Sequence, residues 1–334
     1  MRGTLLRLVS LWILGVSAAP APSEPTPATI RSAADKAIPL IRKSVEEYPR
    51  HRECFSCHHQ AIPALALSLA KARGIAIGGT TLQDIAAHTQ ADLESALDDY
   101  KKEKGQPGGS ERAGYALFTL ETAGHPRDEV TDAVAGYLLA AHKDRDHWRT
   151  QSNRPPSEAS DFTATYLAVR ALQAFGTPDQ KDRVAGRLDA ARSWLRTATP
   201  RDNEDRVFRL FAVKAAGMPA DAVEGARSDL LSRQNDDGGW AQLDGNASDA
   251  YATGSALVAL HLAGGVPADD RSYLRGLSAL IGTQRADGSW LVVSRSKPFQ
   301  TYFESGFPHG KDQFISVAAS SWAASALLLA VPRP

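Results

Sequence analysis

Residues 234–265 read QNDDGGWAQLDGNASDAYATGSALVALHLAGG. A Gln-led turn runs from Gln234 to Gly238-Gly239-Trp240, a polar loop follows, and Ser248-Asp249 opens a segment in which Thr253, Ala256, Ala259 and Ala263 recur. Steps of three and four residues put those small side chains on one face of a helix, and Ser-Asp at its start can satisfy the free N–H groups of the first turn. Weaker copies of this unit recur along the chain, so it is read first as a set of repeats.

Outward from this stretch, residues beyond about 30 contain no run of alternating β-branched side chains, which predicts an all-α protein. Helix stops fall at Gly74, Gly124-His125-Pro126, Gly176-Thr177-Pro178, Gly217-Met218-Pro219 and Gly264-Gly265-Val266-Pro267, 41 to 52 residues apart. Gly accepts the left-handed cap and Pro cannot continue the ladder. That period holds two helices and two loops. It predicts first members near 30–47, 81–101, 127–142, 181–197, 220–234 and 269–284, and second members near 57–73, 111–123, 160–175, 205–216, 249–263 and 313–330. First members carry charge, as in KDRVAGRLDAARSWL; second members repeat alanine, as at Ala168 and Ala171, Ala256 and Ala259, and Ala323 and Ala326. Small residues suit a crowded inner ring and charge suits a wet outer one, so an (α/α)6 toroid over 30–332 is expected, with an open solenoid as the competing arrangement. The long loops 143–159, 235–248 and 285–312 then emerge at one mouth, where a site is expected.

The chain has 334 residues, 43% hydrophobic and 23% charged, with 38 basic residues against 38 acidic ones. This balance gives no electrostatic footprint for nucleic acid. Arg2 and Arg7 precede LVSLWILGVSA, which reads as a signal peptide over 1–19 and predicts export to the periplasm or medium without a stable membrane span. PAPSEPTPAT over 20–29 reads as a Pro-rich linker.

Gln234-x3-Gly238-x-Trp240 and Gln284-x3-Gly288-x-Trp290 share one spacing, and His142-x5-Trp148 is a degenerate third copy. These motifs resemble the Gln/Trp repeats of the squalene-hopene cyclase and protein prenyltransferase toroid superfamily, most clearly over 110–330. The resemblance implies a structural role for Gln234, Trp240, Gln284 and Trp290, and a hydrophobic or isoprenoid ligand at the mouth. In that superfamily type II cyclases protonate an alkene with the central acid of Asp-x-Asp-Asp. Asp98-Asp99, Asp236-Asp237 and Asp269-Asp270 lack that spacing. Prenyltransferases bind zinc through Asp, Cys and His, whereas both cysteines here lie in one N-terminal motif. The resemblance therefore implies the fold and not squalene cyclisation or prenyl transfer.

That motif is Cys54-Phe-Ser-Cys57-His58, the pattern by which two thiols add to haem vinyl groups and the adjacent His ligates iron. It predicts covalent haem c at Cys54, Cys57 and His58, a redox or sensing role with a redox partner protein, and His309 or His147 as distal ligand. A disulfide or redox dithiol, and a metal site using Cys54, Cys57, His58 or His59, are the alternatives.

Asp161 in SDFTAT and Asp249 in SDAYAT open equivalent inner helices. They are candidate catalytic acids of a carbohydrate-active barrel; as helix caps they would need no chemistry. Glu111, Glu158 and Asp312 are possible companions. Trp148, Tyr166, Tyr251, Tyr302 and Phe307 are expected to line the mouth, and Arg149, Arg154, Arg295 and Lys297 offer a clamp for an anionic head group. A non-catalytic binding scaffold is the remaining reading.

Overall fold

The computed structural model describes residues 24–298 and 300–333, and the expected signal peptide 1–19 lies outside them. Among these residues there are thirteen α-helices and no strand: α1 (Pro27–Glu47), α2 (Ile62–Ala72), α3 (Thr81–Glu94), α4 (Leu97–Lys101), α5 (Gly109–Thr122), α6 (Glu129–Ala140), α7 (Asp161–Phe175), α8 (Lys181–Thr197), α9 (Asn203–Ala215), α10 (Ala220–Leu231), α11 (Ala250–Leu262), α12 (Arg271–Thr283) and α13 (Gln313–Ala330). The second members α2, α5, α7, α9, α11 and α13 pack in sequence as an inner ring, and α13 returns to α2 and α1, so the ring closes. The expected toroid is the observed architecture, with α3 and α4 together forming one outer member.

Three boundaries differ from expectation. α1 starts inside the Pro-rich stretch, because the Thr26 hydroxyl caps Thr29 N and Pro27 takes the first helical position, where no N–H is needed. The outer helix 81–101 breaks after Glu94. The first inner helix opens with a five-residue π-turn, Cys57–Ala61, before α2 continues it.

α11 and α13 are buried almost all round, which is why neither carries an acidic residue, a lysine or an arginine. In α11 every residue from Ala250 to Leu260 is buried, and in α13 every residue from Ile315 to Leu329. α13 has the length and apolarity of a membrane span, yet α1, α2 and α11 cover it. Neighbours approach closely where side chains vanish: a Cβ on Gly254 would lie 2.6 Å from Ala323 N, and one on Gly114 would lie 2.7 Å from Leu167 Cβ.

The three Gln/Trp-type turns are built alike. Trp148, Trp240 and Trp290 are fully buried, and their indole N–H groups donate to Leu138 O, Leu230 O and Leu280 O at 2.8, 2.9 and 2.7 Å. Their backbone N–H groups donate to hydroxyls of the next inner helix, on Thr165, Thr253 and Ser320. Each turn thus fastens the end of an outer helix to the inner helix that follows. Gln234 Nε2 donates to Gly238 O and to Ser272 O at the start of α12. Gln284 Nε2 donates to Gly288 O and to Ala33 O of α1, bonding the last repeat to the first helix across the closing seam.

Candidate active site at the toroid mouth

Outer and inner helices alternate, so the inner helices run parallel and their first turns share one end. A helix N-terminus favours negative charge, and acids in those first turns meet at the mouth. Glu111 lies in the first turn of α5 and Glu204 in that of α9, while Glu158 lies just before α7. Glu111 is affected by the charges of Glu158 and Glu204, and Tyr115 by Glu204, Cys57 and Glu111.

On one side of this ring is the π-turn. The Cys57 thiol donates to Glu158 Oε1 at 2.9 Å and lies 3.3 Å from His58 Nδ1, while His58 Nε2 is 3.4 Å from Ser157 Oγ. Glu158 is positioned by paired backbone bonds between Arg154 and Glu158 that close a tight turn, and its Oε2 pairs with the Arg154 guanidinium. Burial, reinforced by Glu158, pushes the Cys57 thiol well above its ordinary value, and burial pulls the His58 imidazolium down. His59 is fully buried against Tyr48 and Phe314, with neither ring nitrogen hydrogen-bonded.

Both thiols are free. Cys54 Sγ faces the Tyr48 hydroxyl at 3.6 Å, whereas Cys57 faces Glu158. The motif supplies the donors a haem c needs, but its two thiols turn to different partners, so this geometry adds nothing in favour of the haem. His309 Nε2 is 2.8 Å from Ser289 Oγ, and His147 lies between Asp146 and Asp161, stacked on Trp194. None of these contacts involves Cys54, Cys57 or His58. An imidazole that does meet Cys54 is His88 of the outer helix α3, whose Nε2 is 3.4 Å from Cys54 O.

On the other side is Glu204. Its Oε1 accepts the Tyr251 hydroxyl at 3.2 Å; its Oε2 is buried and has no hydrogen-bond partner. The residue is only 4% exposed, and burial followed by the charge of Asp202 holds it well above the usual carboxylate range. Burial therefore favours its protonated, neutral form. Asp202 caps α9 through Asp205 N, and Asp205 is held by Arg201. Burial raises Asp202 and Asp249 as well, and the charge of Arg295, from the long loop, partly offsets the rise at these two and at Glu204. Ser296 Oγ donates to Pro155 O, so loops 285–312 and 143–159 meet over the mouth.

The two expected acids are placed differently. Asp249 caps α11, accepting from Tyr251 N and Ala252 N. Asp161 accepts from Thr150 N and pairs with His147 and Arg149; Ser160 supplies the cap of α7. Among the aromatic residues, Tyr251 enters the acid cluster. Tyr166 packs on Phe208 and Phe211 and accepts from Arg170. Trp148 is sealed in its turn beneath Arg187, and Phe307 is buried beside His309. Tyr302 is 48% exposed and bonded to Glu304, because its loop carries it outward.

Sequence reasoning passed over Glu204. A signal is present in the chain: Asp202-Asn203-Glu204-Asp205 has the Asp-x-acid-Asp spacing, with Glu in the central place.

The geometry invites comparison with known proteins. No protein-family model matches the chain. A variant of the type II terpene cyclase MstE from Scytonema, in complex with geranylgeranyl dihydroxybenzoate as substrate, superposes with a TM-score of 0.55 at 14% identity, covering 92% of this chain and 99% of that one. The fold is that of the type II terpene cyclases. A possible member of the GH105 family from Klebsiella pneumoniae shares the architecture at a TM-score of 0.54 and 10% identity, over 97% of this chain and 99% of that one. In sequence, drimenyl diphosphate synthase from Streptantibioticus cattleyicolor is 32% identical over 208 residues, 56% of this chain. The match spans 36% of that protein's length.

Proposed function

We propose that the toroid takes an apolar, isoprenoid-class ligand into its mouth and that Glu204 is the acid that protonates it. The observation carrying this reading is the Glu204 carboxyl: buried, anchored at Oε1 by Tyr251 and unpartnered at Oε2, with burial favouring its protonated form. A proton passing from Glu204 to one alkene carbon breaks the O–H bond, uses the π pair to form C–H, and leaves a carbocation beside a carboxylate. Tyr251, bonded to Glu204 and neighbouring Trp322, and Tyr115, within reach of the charge of Glu204, supply aromatic rings of a kind that suits a cationic, apolar intermediate. Arg295 is the cation placed to receive an anionic head group. The relative named as a diphosphate synthase, and the cyclase neighbour holding a geranylgeranyl aromatic acid, support this class of ligand.

The test is incubation with linear isoprenoid diphosphates and isoprenoid–aromatic conjugates, followed by mass spectrometry. Cyclised product is expected from the parent chain, and Glu204→Gln should reduce it at least about 100-fold, the scale of a lost general acid. Tight binding without conversion would leave a carrier and remove the catalytic half; no binding would remove the whole. Asp161 and Asp249 are engaged in holding loop and helix starts, so the carbohydrate-active alternative no longer rests on that pair.

Covalent haem in an exported protein is a second proposal, carried by the Cys54, Cys57 and His58 spacing. A Soret band that survives acid and organic extraction, after co-expression with the attachment machinery, would support it; a colourless protein would end it.

A further inference from the structure

The Cys57, His58 and Glu158 side chains take no part in the proposed reaction, yet they converge on one another from two separate segments. One ligand atom from each lies within 4.8 Å of the others. With metal–sulfur bonds of about 2.3 Å and metal–nitrogen bonds of about 2.0–2.1 Å, tetrahedral ligands to zinc sit about 3.5 Å apart. The observed 2.9 Å from Cys57 Sγ to Glu158 Oε1, and 3.3 Å from Sγ to His58 Nδ1, need only a slight opening to admit an ion.

Three further features fit such a centre. His58 Nε2 faces Ser157 Oγ and Glu158 Oε2 is taken by Arg154, which leaves Nδ1 and Oε1 for an ion and fixes both groups from behind. The ligands begin on a π-turn, a widened helical geometry frequent at functional sites. Glu111, 1% exposed, has one carboxylate oxygen without a partner, and it lies near enough for its charge to act on Cys57.

We propose that Cys57, His58 and Glu158 bind a late first-row divalent cation, zinc first, with a fourth coordination position left for water or a ligand group. Sulfur, imidazole and carboxylate donors together suit zinc and its neighbours. Binding breaks the Cys57 S–H bond, forms a sulfur–metal bond and releases one proton to solvent. One thiolate and one carboxylate then balance the dication.

The experiment is a cobalt(II) titration of the chelator-stripped full chain, with zinc competition and zinc content measured on the untreated protein. A one-to-one end point is expected, with a thiolate-to-cobalt charge-transfer band that zinc abolishes. Cys57→Ser should lose that band, Glu158→Gln should weaken binding at least about 10-fold, and Cys54→Ser should retain both, as should Glu204→Gln. Zinc should also raise the melting temperature of the parent chain, a readout that stands if Cys57→Ser fails to fold. No band in the parent, an unchanged band in Cys57→Ser, or acid-stable haem bound through both thiols would each overturn the proposal.

Discussion

The Tyr251 hydroxyl of α11 donates to Glu204 Oε1 of α9 at 3.2 Å, joining two inner helices inside the mouth. One oxygen of the acid is fixed and the other is left bare. The bond favours the ionised form, so Tyr251 partly opposes the burial that keeps Glu204 protonated.

A pH-dependent stability follows. Glu204 and Glu111 both hold their protons more tightly folded than unfolded. Their contribution is full below the unfolded value of about 4.3 and drains away as pH rises toward the folded values. Glu204→Gln keeps the shape and an acceptor for Tyr251 but cannot ionise. Urea unfolding at about pH 5 and pH 8 should show the variant losing less stability than the parent between them; equal losses would contradict the neutral-acid assignment.

Asp161 and His147 should titrate together. Burial pulls His147 down, but Asp161 and Asp146 outweigh it and raise its value; burial raises Asp161, but His147, Thr150 N and Arg149 lower it. The His147 contribution is therefore present below about 6.5 and lost as pH rises through the folded value, while that of Asp161 is present above about 3.9 and lost in acid. Asp161→Asn should lower the His147 titration midpoint, read by imidazole NMR. An unmoved midpoint would show that the contact does not persist in solution.

Replacing Trp240 by Phe removes the indole donor to Leu230 O, which then keeps only the helix-end bonds from Ser232 N and Arg233 N, and leaves space in a fully buried place. A loss of about 1–3 kcal/mol is expected from chemical denaturation. Trp290→Phe and Trp148→Phe should cost similar amounts, because their indoles make the same bond. A cost at Trp148 near zero would separate the degenerate copy from the other two.

The closing seam can be tested with glycine. Gly288 has φ +88, and a Cβ there would meet Lys36 O of α1 at 2.3 Å. Gly245 has φ +81 and nothing within 4 Å. Both Ala variants carry the left-handed strain of about 1 kcal/mol, so only the excess at Gly288 reads the contact across the seam. Thermal melts should place Gly288→Ala clearly below Gly245→Ala; equal melts would mean that the seam yields freely.

The sequence by itself determined the ring. Small-residue helices alternate with charged ones at a period set by Gly and Pro, and that burial pattern has one economical closed solution, so α2 through α13 fall close to where periodicity puts them. The turn residues were equally legible, because Gln234, Trp240, Gln284 and Trp290 act on backbone groups only a few residues away or at the next helix end. What the ring brings together was decided by the tertiary structure alone. Cys57 and Glu158 are 101 residues apart and Tyr251 and Glu204 are 47 apart. No local pattern encodes such meetings, since they depend on parallel inner helices presenting their first turns at a common end. The same reason divides the acids: Asp161, Asp249 and Glu204 all open inner helices, but only in the folded ring do the first two meet backbone N–H groups while Glu204 is buried against the Tyr251 hydroxyl with one oxygen bare.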